Sequence, residues 1–247
     1  MTDKTLVKQR FSRAAQTYDS SAAPQRKIAS VLAGLLSQCD PATEGRILEI
    51  GCGTGFLTLE LRQRLNPRFL AVNDLCSQMF MRLPDVGADL KIEGDAETIA
   101  YPDRLDLIAS CSTVQWFDDL SGFFDKCALS LVPKGLLAVS SFGQSNLPEI
   151  ARLTSRSLRY YSTEEISAML AKRFDIMHMS QNCFTVTFPS PMHVLHHLKQ
   201  TGVTGTARFL WTRSALAEFD RRYRAEFAAD GGVRLTYNPI YFIARKK

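Results

Sequence analysis

A glycine-rich turn, EIGCGTG, begins at Glu49 and joins two segments of different character. The apolar run RILEI before it is typical of a buried strand, and FLTLELRQRL after it is typical of a helix. Gly51 permits a sharp turn, Gly53 lets a ligand approach the backbone, and Gly55 opens the helix. Because the first N–H groups of a helix are free, the sequence predicts a site for a polar or anionic ligand group here.

The spacing of these glycines separates two classes of nucleotide cofactor. A dinucleotide fingerprint is GxGxxG or GxGxxA, and here Phe56 occupies the sixth position, which does not fit. The pattern GxGxG with Glu49 two residues before it instead resembles motif I of the class I S-adenosylmethionine-dependent methyltransferases. That resemblance implies a loop that wraps the amino-acid end of the cofactor.

Two further acids follow the next predicted strands. Asp74 follows the run FLAVN and ends the second predicted strand, where a carboxylate can accept hydrogen bonds from both ribose hydroxyls. Asp95, in GDAET, could accept from the adenine amino group, while the Ala96 N–H serves the ring. Either acid alone could simply cap a turn, but their order along the chain favours S-adenosylmethionine. The predicted cofactor-binding residues are Glu49, Gly51, Cys52, Gly53, Gly55, Asp74, Leu75, Asp95, Ala96 and Ser110.

The elements around these residues predict an α/β, Rossmann-like fold with a mostly parallel central sheet and helices on both faces. Apolar runs that read as strands alternate with helical stretches from RILEI to GLLAVSSF, and DIMHMSQNCFTVTF and VRLTYNPIYFIARKK each read as one further strand. A helix is predicted around 147–158. We expect one domain over 1–247. Residues 1–40 are predicted to form an N-terminal helical lid, and 45–143 the cofactor-binding core. Residues 144–247 should contain the last strands and the acceptor-side helices, which are inserted before the last strand.

Composition excludes several classes of protein. No run of eighteen apolar residues occurs, so no membrane span or membrane partner is expected. Six cysteines without a CxxC pair favour reduced thiols and a cytoplasmic protein. His193 and His197 have helical spacing, but without an HExxH pattern we expect a solvated helix face and no metal. No nucleic-acid-binding motif occurs either.

The acceptor has to be inferred from what the sequence lacks. Gln115 and Trp116, after the fourth predicted strand, would lie beside the transferable methyl group. Methyltransferases that act on nucleobase or glutamine amines carry an (N/D)PPY-type motif here, whereas this chain reads SCST. No catalytic base stands out, which favours an acceptor that is already nucleophilic. A carboxylate, with a pKa of roughly 3–4, needs no base.

Six segments outside the glycine motif carry a more specific resemblance. They are FSRAAQTYDSSAAPQRKIA, QWFDDL, SSFGQSNLPEI, RYYSTEEI, HLKQTGVTG and LTYNPIYFIARKK. Together they resemble the malonyl-acyl-carrier-protein O-methyltransferases of early biotin synthesis, over nearly the full length of the chain. The resemblance implies S-adenosylmethionine as cofactor, S-adenosylhomocysteine as product, and methylation of the free carboxylate of a malonyl thioester on acyl carrier protein. HLKQTGVTG, in this interpretation, belongs to the acceptor side and is not a second nucleotide site.

Candidate residues for the acceptor follow from this chemistry. An arginine fork is a natural holder of a carboxylate, and Arg152 and Arg159 are the predicted holders, with Arg13 and Arg156 as alternatives. Tyr18, in the pattern FxxxAxxY, is predicted to close over the cofactor as part of the lid.

The net charge of +5 lies late in the chain, where 207–247 holds nine basic and four acidic residues. Such a bias could attract an acidic carrier protein, although a solvated helix face is an equal explanation. Two other functions remain open. One is methylation of a small free carboxylic acid or a coenzyme-A thioester, and the other is cofactor binding without turnover.

Overall fold

The computed structural model describes residues 2–85, 87–155, 157–203 and 212–247. The helices are α1 (Lys4–Ala14), α2 (Tyr18–Ser21), α3 (Ala23–Ser37), α4 (Phe56–Leu65), α5 (Ser77–Phe80), α6 (Leu120–Ser130), α7 (Pro148–Thr154), α8 (Thr163–Leu170), α9 (Pro191–Gln200) and α10 (Arg213–Phe227). The strands are β1 (Arg46–Ile50), β2 (Phe69–Asp74), β3 (Leu90–Glu93), β4 (Leu105–Cys111), β5 (Leu131–Phe142), β6 (Phe174–Gln181), β7 (Phe184–Phe188), β8 (Ala228–Ala229), β9 (Gly232–Tyr237) and β10 (Pro239–Lys246).

The central sheet has seven strands in the order β3-β2-β1-β4-β5-β10-β6. The pairs from β3 to β5 are all parallel, whereas β10 runs antiparallel to both of its neighbours, β5 and β6. The strand order reverses between β1 and β4, and ligands bind at such a switch point beyond the carboxyl ends of the strands. The mostly parallel α/β fold that the sequence predicts is confirmed.

Helices cover both faces of the sheet because successive strand residues point to opposite sides. Ile47 of β1 packs in an apolar cluster with Leu32 of α3 and Tyr223 of α10. Its neighbour Leu48 packs in the opposite cluster, with Phe124 of α6. All three apolar side chains of β1, Ile47, Leu48 and Ile50, are fully buried, which explains why apolar residues of this strand occur on both faces and do not simply alternate.

A second, three-stranded antiparallel sheet, with the order β7-β9-β8, corrects two of the predicted strands. DIMHMSQNCFTVTF is two strands, since β6 joins the central sheet and β7 pairs with β9. VRLTYNPIYFIARKK is likewise divided at Asn238, whose N–H donates to Asn146 Oδ1 at 3.0 Å. The alternating apolar pattern continues through the second break and gives no sign there that the chain changes sheets, whereas the polar residues 180–182 interrupt it at the first break.

Three smaller expectations concern one helix, membrane spans and the cysteines. The helix predicted around 147–158 is shorter, because α7 ends at Thr154 and Ser155 adopts a left-handed backbone with φ +53. None of the described helices is long and apolar enough to cross a bilayer. All six cysteines are free thiols.

Candidate active site

A cavity of about 710 Å³, including its opening to solvent, lies beyond the carboxyl ends of β1, β2, β3 and β4. Gly51 and Gly53 of the glycine turn line it, both with positive φ. A Cβ at Gly51 would lie 2.1 Å from Thr113 Oγ1, so no side chain fits there without displacing the loop that follows β4. A Cβ at Gly53 would meet nothing within 4 Å, which leaves the backbone open to a ligand.

Asp74 at the end of β2 fixes the shape of this cavity. Its Oδ2 accepts the Gly53 N–H and its Oδ1 accepts the Cys76 N–H, each at 2.9 Å. Burial raises the pKa of Asp74 to about 6, against hydrogen bonds from the backbone of Cys76, Gly53 and Leu75, which lower it. The carboxylate therefore joins the glycine turn to β2 and, lining the cavity, keeps lone pairs that a ligand hydroxyl could reach.

Helix α1 covers the cavity from the opposite side. Lys4, Val7, Lys8 and Phe11 line it. The Lys4 ammonium lies 3.3 Å from Asp95 Oδ1, so one of the predicted adenine contacts already has a charged partner. Lys4 and Lys8 thus attach α1 to the β3 edge of the sheet, Lys8 through an ion pair at 2.8 Å with Glu93.

A second cavity, of about 400 Å³ including its opening, adjoins the first. Phe11, Tyr18, Ser112 and Trp116 line both, and they mark the junction between the two. The Phe11 and Trp116 rings meet edge to face, with centroids 5.8 Å apart. Tyr18 stacks on Phe56 at 6.0 Å, and burial raises the pKa of its phenol, so the hydroxyl stays protonated.

The second cavity combines a largely apolar wall with a few neutral polar groups. Gln115 Nε2 donates to the Ser112 carbonyl at 2.6 Å, and Asn146 Nδ2 donates to the Tyr160 hydroxyl at 3.0 Å. No Lys, Arg, Asp or Glu occurs among the described residues that line it. An anion bound here would therefore be held by neutral hydrogen-bond donors.

The comparisons with known proteins agree with this geometry. A family model described as a methyltransferase domain matches residues 48–139. A malonyl-acyl-carrier-protein O-methyltransferase of Bacteroides thetaiotaomicron is 41% identical, with 99% of each chain covered. One of Haemophilus influenzae with the same name is 37% identical, covering 98% of this chain and 95% of its own. The chain belongs to the malonyl-acyl-carrier-protein O-methyltransferase family. The resemblance predicted from the sequence is confirmed, and the chain is a methyltransferase.

Solved structures share the fold at lower identity. The YcgJ protein of Bacillus subtilis superposes with a TM-score of 0.64 at 15% identity, covering 88% of this chain and 99% of that one. Phosphoethanolamine N-methyltransferase 2 of Haemonchus contortus, in complex with phosphomonomethylethanolamine and S-adenosylhomocysteine, has a TM-score of 0.56 at 17% identity. It covers 88% of this chain and 52% of that one. These structures show the class I methyltransferase fold.

The structure brings together most of the predicted cofactor residues, but not all of them. Those that line the first cavity are Gly51, Gly53, Asp74, Leu75, Asp95 and Ala96. The four that do not line it are Glu49, Cys52, Gly55 and Ser110. Ser110 is fully buried and donates to the Ile50 carbonyl at 3.0 Å, so it joins β4 to β1. The loop just after it, Ser112 and Thr113, lines the cavity instead.

Tyr18, Gln115 and Trp116, predicted for the acceptor side, all line the second cavity. Three polar residues that line this cavity were not predicted from the sequence, namely Gln25 of α3, Asn146 after β5, and Tyr237 of β9. The family segments SSFGQSNLPEI and LTYNPIYFIARKK contain Asn146 and Tyr237, but the resemblance did not indicate what these two residues do.

The predicted arginine holders lie elsewhere on the protein. Arg152 is largely exposed and pairs with Glu226 at 2.5 Å. The exposed Arg159 lies with its guanidinium 4.8 Å from the centre of the Tyr161 ring. Neither is among the described residues that line the two cavities, and Arg13 is exposed on α1. Arg156 lies outside the described residues.

This placement makes a testable prediction. Arg152→Ala and Arg159→Ala should each leave the KM for the acceptor within about twofold of wild type, because both side chains are exposed and neither lines the acceptor cavity. Steady-state kinetics with saturating cofactor would measure it. A tenfold rise in the acceptor KM for either variant, with unchanged cofactor affinity, would instead show that this arginine holds the carboxylate.

The histidines and the basic helix also differ from expectation. His197, expected on a solvated helix face, is buried, while His193 and His196 are exposed. Basic residues of α10 largely pair with acids on the same helix, as in the ion pairs Arg221–Glu218, Arg222–Glu226 and Arg224–Asp220. Arg208, counted in the basic excess, and the last two residues of HLKQTGVTG lie outside the described residues.

Proposed function

We propose that this chain transfers a methyl group from S-adenosylmethionine to the free carboxylate of a malonyl thioester on acyl carrier protein. The observation that carries the proposal is the junction of two adjoining cavities at Tyr18 and Trp116, in a chain of this family. By the family resemblance, the methyl ester would prime biotin synthesis. We further propose that 1–247 acts as one domain, with 1–40 as lid, 45–143 as cofactor core and 144–247 as acceptor side.

The first cavity fits the cofactor in shape and in donor chemistry. Gly53 leaves its backbone accessible, Asp74 offers a carboxylate for the ribose hydroxyls, and Asp95 offers one for the adenine amine. When bound, the cofactor supplies a methyl group on a positively charged sulfur. Residues on α1 would cover it and limit the access of water to the junction.

The second cavity suits a carboxylate nucleophile. Tyr160 accepts a hydrogen bond from Asn146, so its own O–H proton is left to donate to a carboxylate oxygen. The Tyr18 phenol is protonated as well and lies at the junction. Neutral donors orient the carboxylate while leaving it more nucleophilic than an arginine pair would. Loss of water and alignment then account for most of the rate enhancement.

Charge neutralisation adds to this effect. The reaction consumes a negative carboxylate and a positive sulfonium and yields two neutral products. Charges that disappear in the transition state are favoured by a cavity of low polarity, and here the wall includes Phe142, Leu147 and Leu158. No proton has to be removed, which agrees with a cavity without a charged base among its described lining residues.

Comparing acceptors tests the proposal. Malonyl-acyl carrier protein, malonyl-coenzyme A, free malonate and trans-aconitate would each be incubated with the enzyme and S-adenosylmethionine, and the products followed by mass spectrometry. We expect the carrier-bound thioester to have the highest kcat/KM, with free malonate methylated poorly. Preference for a free acid would replace the proposal with a small-acid methyltransferase. Cofactor binding without any methylation would indicate a binding protein.

A further inference from the structure

Gln25 is a buried amide that the cofactor chemistry leaves unused. It lies in the first turn of α3, is only 6% exposed, and lines the second cavity. Its Oε1 is buried and has no hydrogen-bond partner within the part of the chain that the structure describes. A buried acceptor without a donor destabilises the free protein, and a ligand that brings an N–H group removes that penalty.

Buried contacts around Tyr237 and His197 indicate which end of the Gln25 amide is left over. His197 Nε2 lies 2.6 Å from the Tyr237 hydroxyl. Burial lowers the pKa of His197 to about 4, against a hydrogen bond to the Ser21 backbone that acts to raise it. The ring is therefore neutral, directs its other nitrogen toward the Ser21 backbone, and accepts a hydrogen bond from the Tyr237 hydroxyl at Nε2.

Because the Tyr237 hydroxyl donates its hydrogen bond to His197, the Tyr237 oxygen can accept one from another group. Burial raises the pKa of Tyr237, and a hydrogen bond from the Gln25 side chain acts in the opposite direction, as a donor to the phenol oxygen would. Gln25 thus directs its NH₂ group to Tyr237 and keeps its carbonyl oxygen for another donor. His197, which belongs to the segment HLKQTGVTG, contributes only by fixing the orientation of the Tyr237 hydroxyl and, through it, of the Gln25 amide.

The donor must come from the part of the substrate that lies away from the reacting carboxylate. The malonyl group has only acceptor oxygens, whereas a pantetheine arm has an amide N–H two methylene groups from its sulfur. Gln115 also has an unpartnered Oε1, but its neighbours Ser112 and Trp116 line both cavities, so Gln115 lies at the cofactor end. Gln25 and Gln115 both line only the second cavity, but Gln25 neighbours Tyr237, which likewise lines only that cavity, so Gln25 is placed away from the cofactor end.

We propose that Gln25 Oε1 accepts the amide N–H of the pantetheine arm nearest the thioester, so that Gln25 selects a pantetheine thioester over a free carboxylic acid. This inference rests on the proposed methylation of a malonyl thioester. Carrier protein and coenzyme A both present this arm, so the hydrogen bond would recognise the arm and not the carrier protein itself. Gln25 is then a specificity-determining residue of the acceptor cavity.

Two small thioesters isolate this hydrogen bond. One is the malonyl thioester of N-acetylcysteamine, and the other is its isostere in which an ester oxygen replaces the amide N–H. Wild-type enzyme should show about tenfold higher kcat/KM for the amide, mainly through KM, because the isostere leaves the buried oxygen without a donor. In Gln25→Met the two substrates should react at equal rates.

The possible outcomes distinguish the role of Gln25 from the proposed methylation of malonyl-acyl carrier protein. Equal rates of the wild type on the amide and the ester would overturn the role of Gln25, and so would an undiminished amide preference in a folded Gln25→Met variant. The wild-type comparison tests the inference even if that variant does not fold. Failure of the wild type to methylate malonyl-acyl carrier protein would overturn the proposed function, and the inference with it. Circular dichroism and S-adenosylhomocysteine affinity, which should not change, would confirm that Gln25→Met is intact.

Discussion

Asp74→Ala should weaken the binding of S-adenosylhomocysteine by about 100-fold or more, since each hydrogen bond to a charged group contributes roughly 1.5–3 kcal/mol and we propose that Asp74 accepts from two ribose hydroxyls. The same carboxylate accepts the N–H groups of Gly53 and Cys76, so its loss also loosens the glycine turn. Isothermal titration calorimetry would give the dissociation constant directly.

The control is Asp89→Ala, just before β3, whose carboxylate binds the amino end of β2. Asp89 Oδ2 accepts the Leu70 N–H at 2.8 Å, so this variant also removes a carboxylate that binds the backbone, but it lies outside the cavity lining. Its cofactor affinity should match wild type. Unchanged affinity in a folded Asp74→Ala variant would refute the ribose assignment.

The pKa of Asp74 adds a pH dependence to this prediction. The carboxylate has a pKa of about 6 in the free protein, and a ligand that donates two hydroxyl protons favours its charged form. Affinity should therefore fall as the pH decreases through about 6 and level off above it. Asp74→Asn should bind weakly across the range and lose this inflection.

Glu49→Gln should stabilise the free protein at pH 8. Glu49, at the end of β1, is 1% exposed, and burial raises the pKa of its carboxyl from 4.5 to about 8. Between those values the folded chain holds a proton that the unfolded chain has released. The wild-type free energy of unfolding therefore falls by about 1.4 kcal/mol per pH unit from this group as the pH rises. A neutral amide removes that loss.

Urea denaturation between about pH 5 and pH 8 would measure the difference between the two curves, which should widen as the pH rises. Glu149→Gln is the matched control, because Glu149 is equally buried but both its oxygens accept hydrogen bonds from Thr236. That variant should be less stable than wild type. Parallel pH curves for wild type and Glu49→Gln would show that Glu49 is ionised in the folded protein.

The cofactor side could be predicted from the sequence because its signals are local. The glycine turn and Asp74 each follow directly on a buried apolar run, and β1 and β2 occupy almost the predicted residues. Burial on both faces of a central parallel strand leaves a continuous apolar run, which is easily recognised. The carboxyl ends of such strands meet at one edge, so residues distant in sequence could be placed together.

The acceptor side could not be derived in the same way. Gln25, Asn146 and Tyr237 come from a helix, a loop and a strand of the second sheet, and no periodic pattern relates them. The choice of Arg152 and Arg159 followed the usual chemistry of carboxylate binding, while the structure surrounds the cavity with neutral amides and phenols. Which donors surround a cavity depends on tertiary packing, and that is not readable from residue type alone.

The central claim is that the methyl group passes to a malonyl carboxylate. The most direct measurement uses S-adenosylmethionine with an isotopically labelled methyl group and malonyl-acyl carrier protein in a single turnover, followed by mild alkali. The malonyl group could also be methylated on its central carbon, with the same gain in mass. We predict label on the carrier that alkali releases as methanol, as a methyl ester requires. Label retained as methylmalonate, or no label on the carrier despite cofactor binding, would contradict the account.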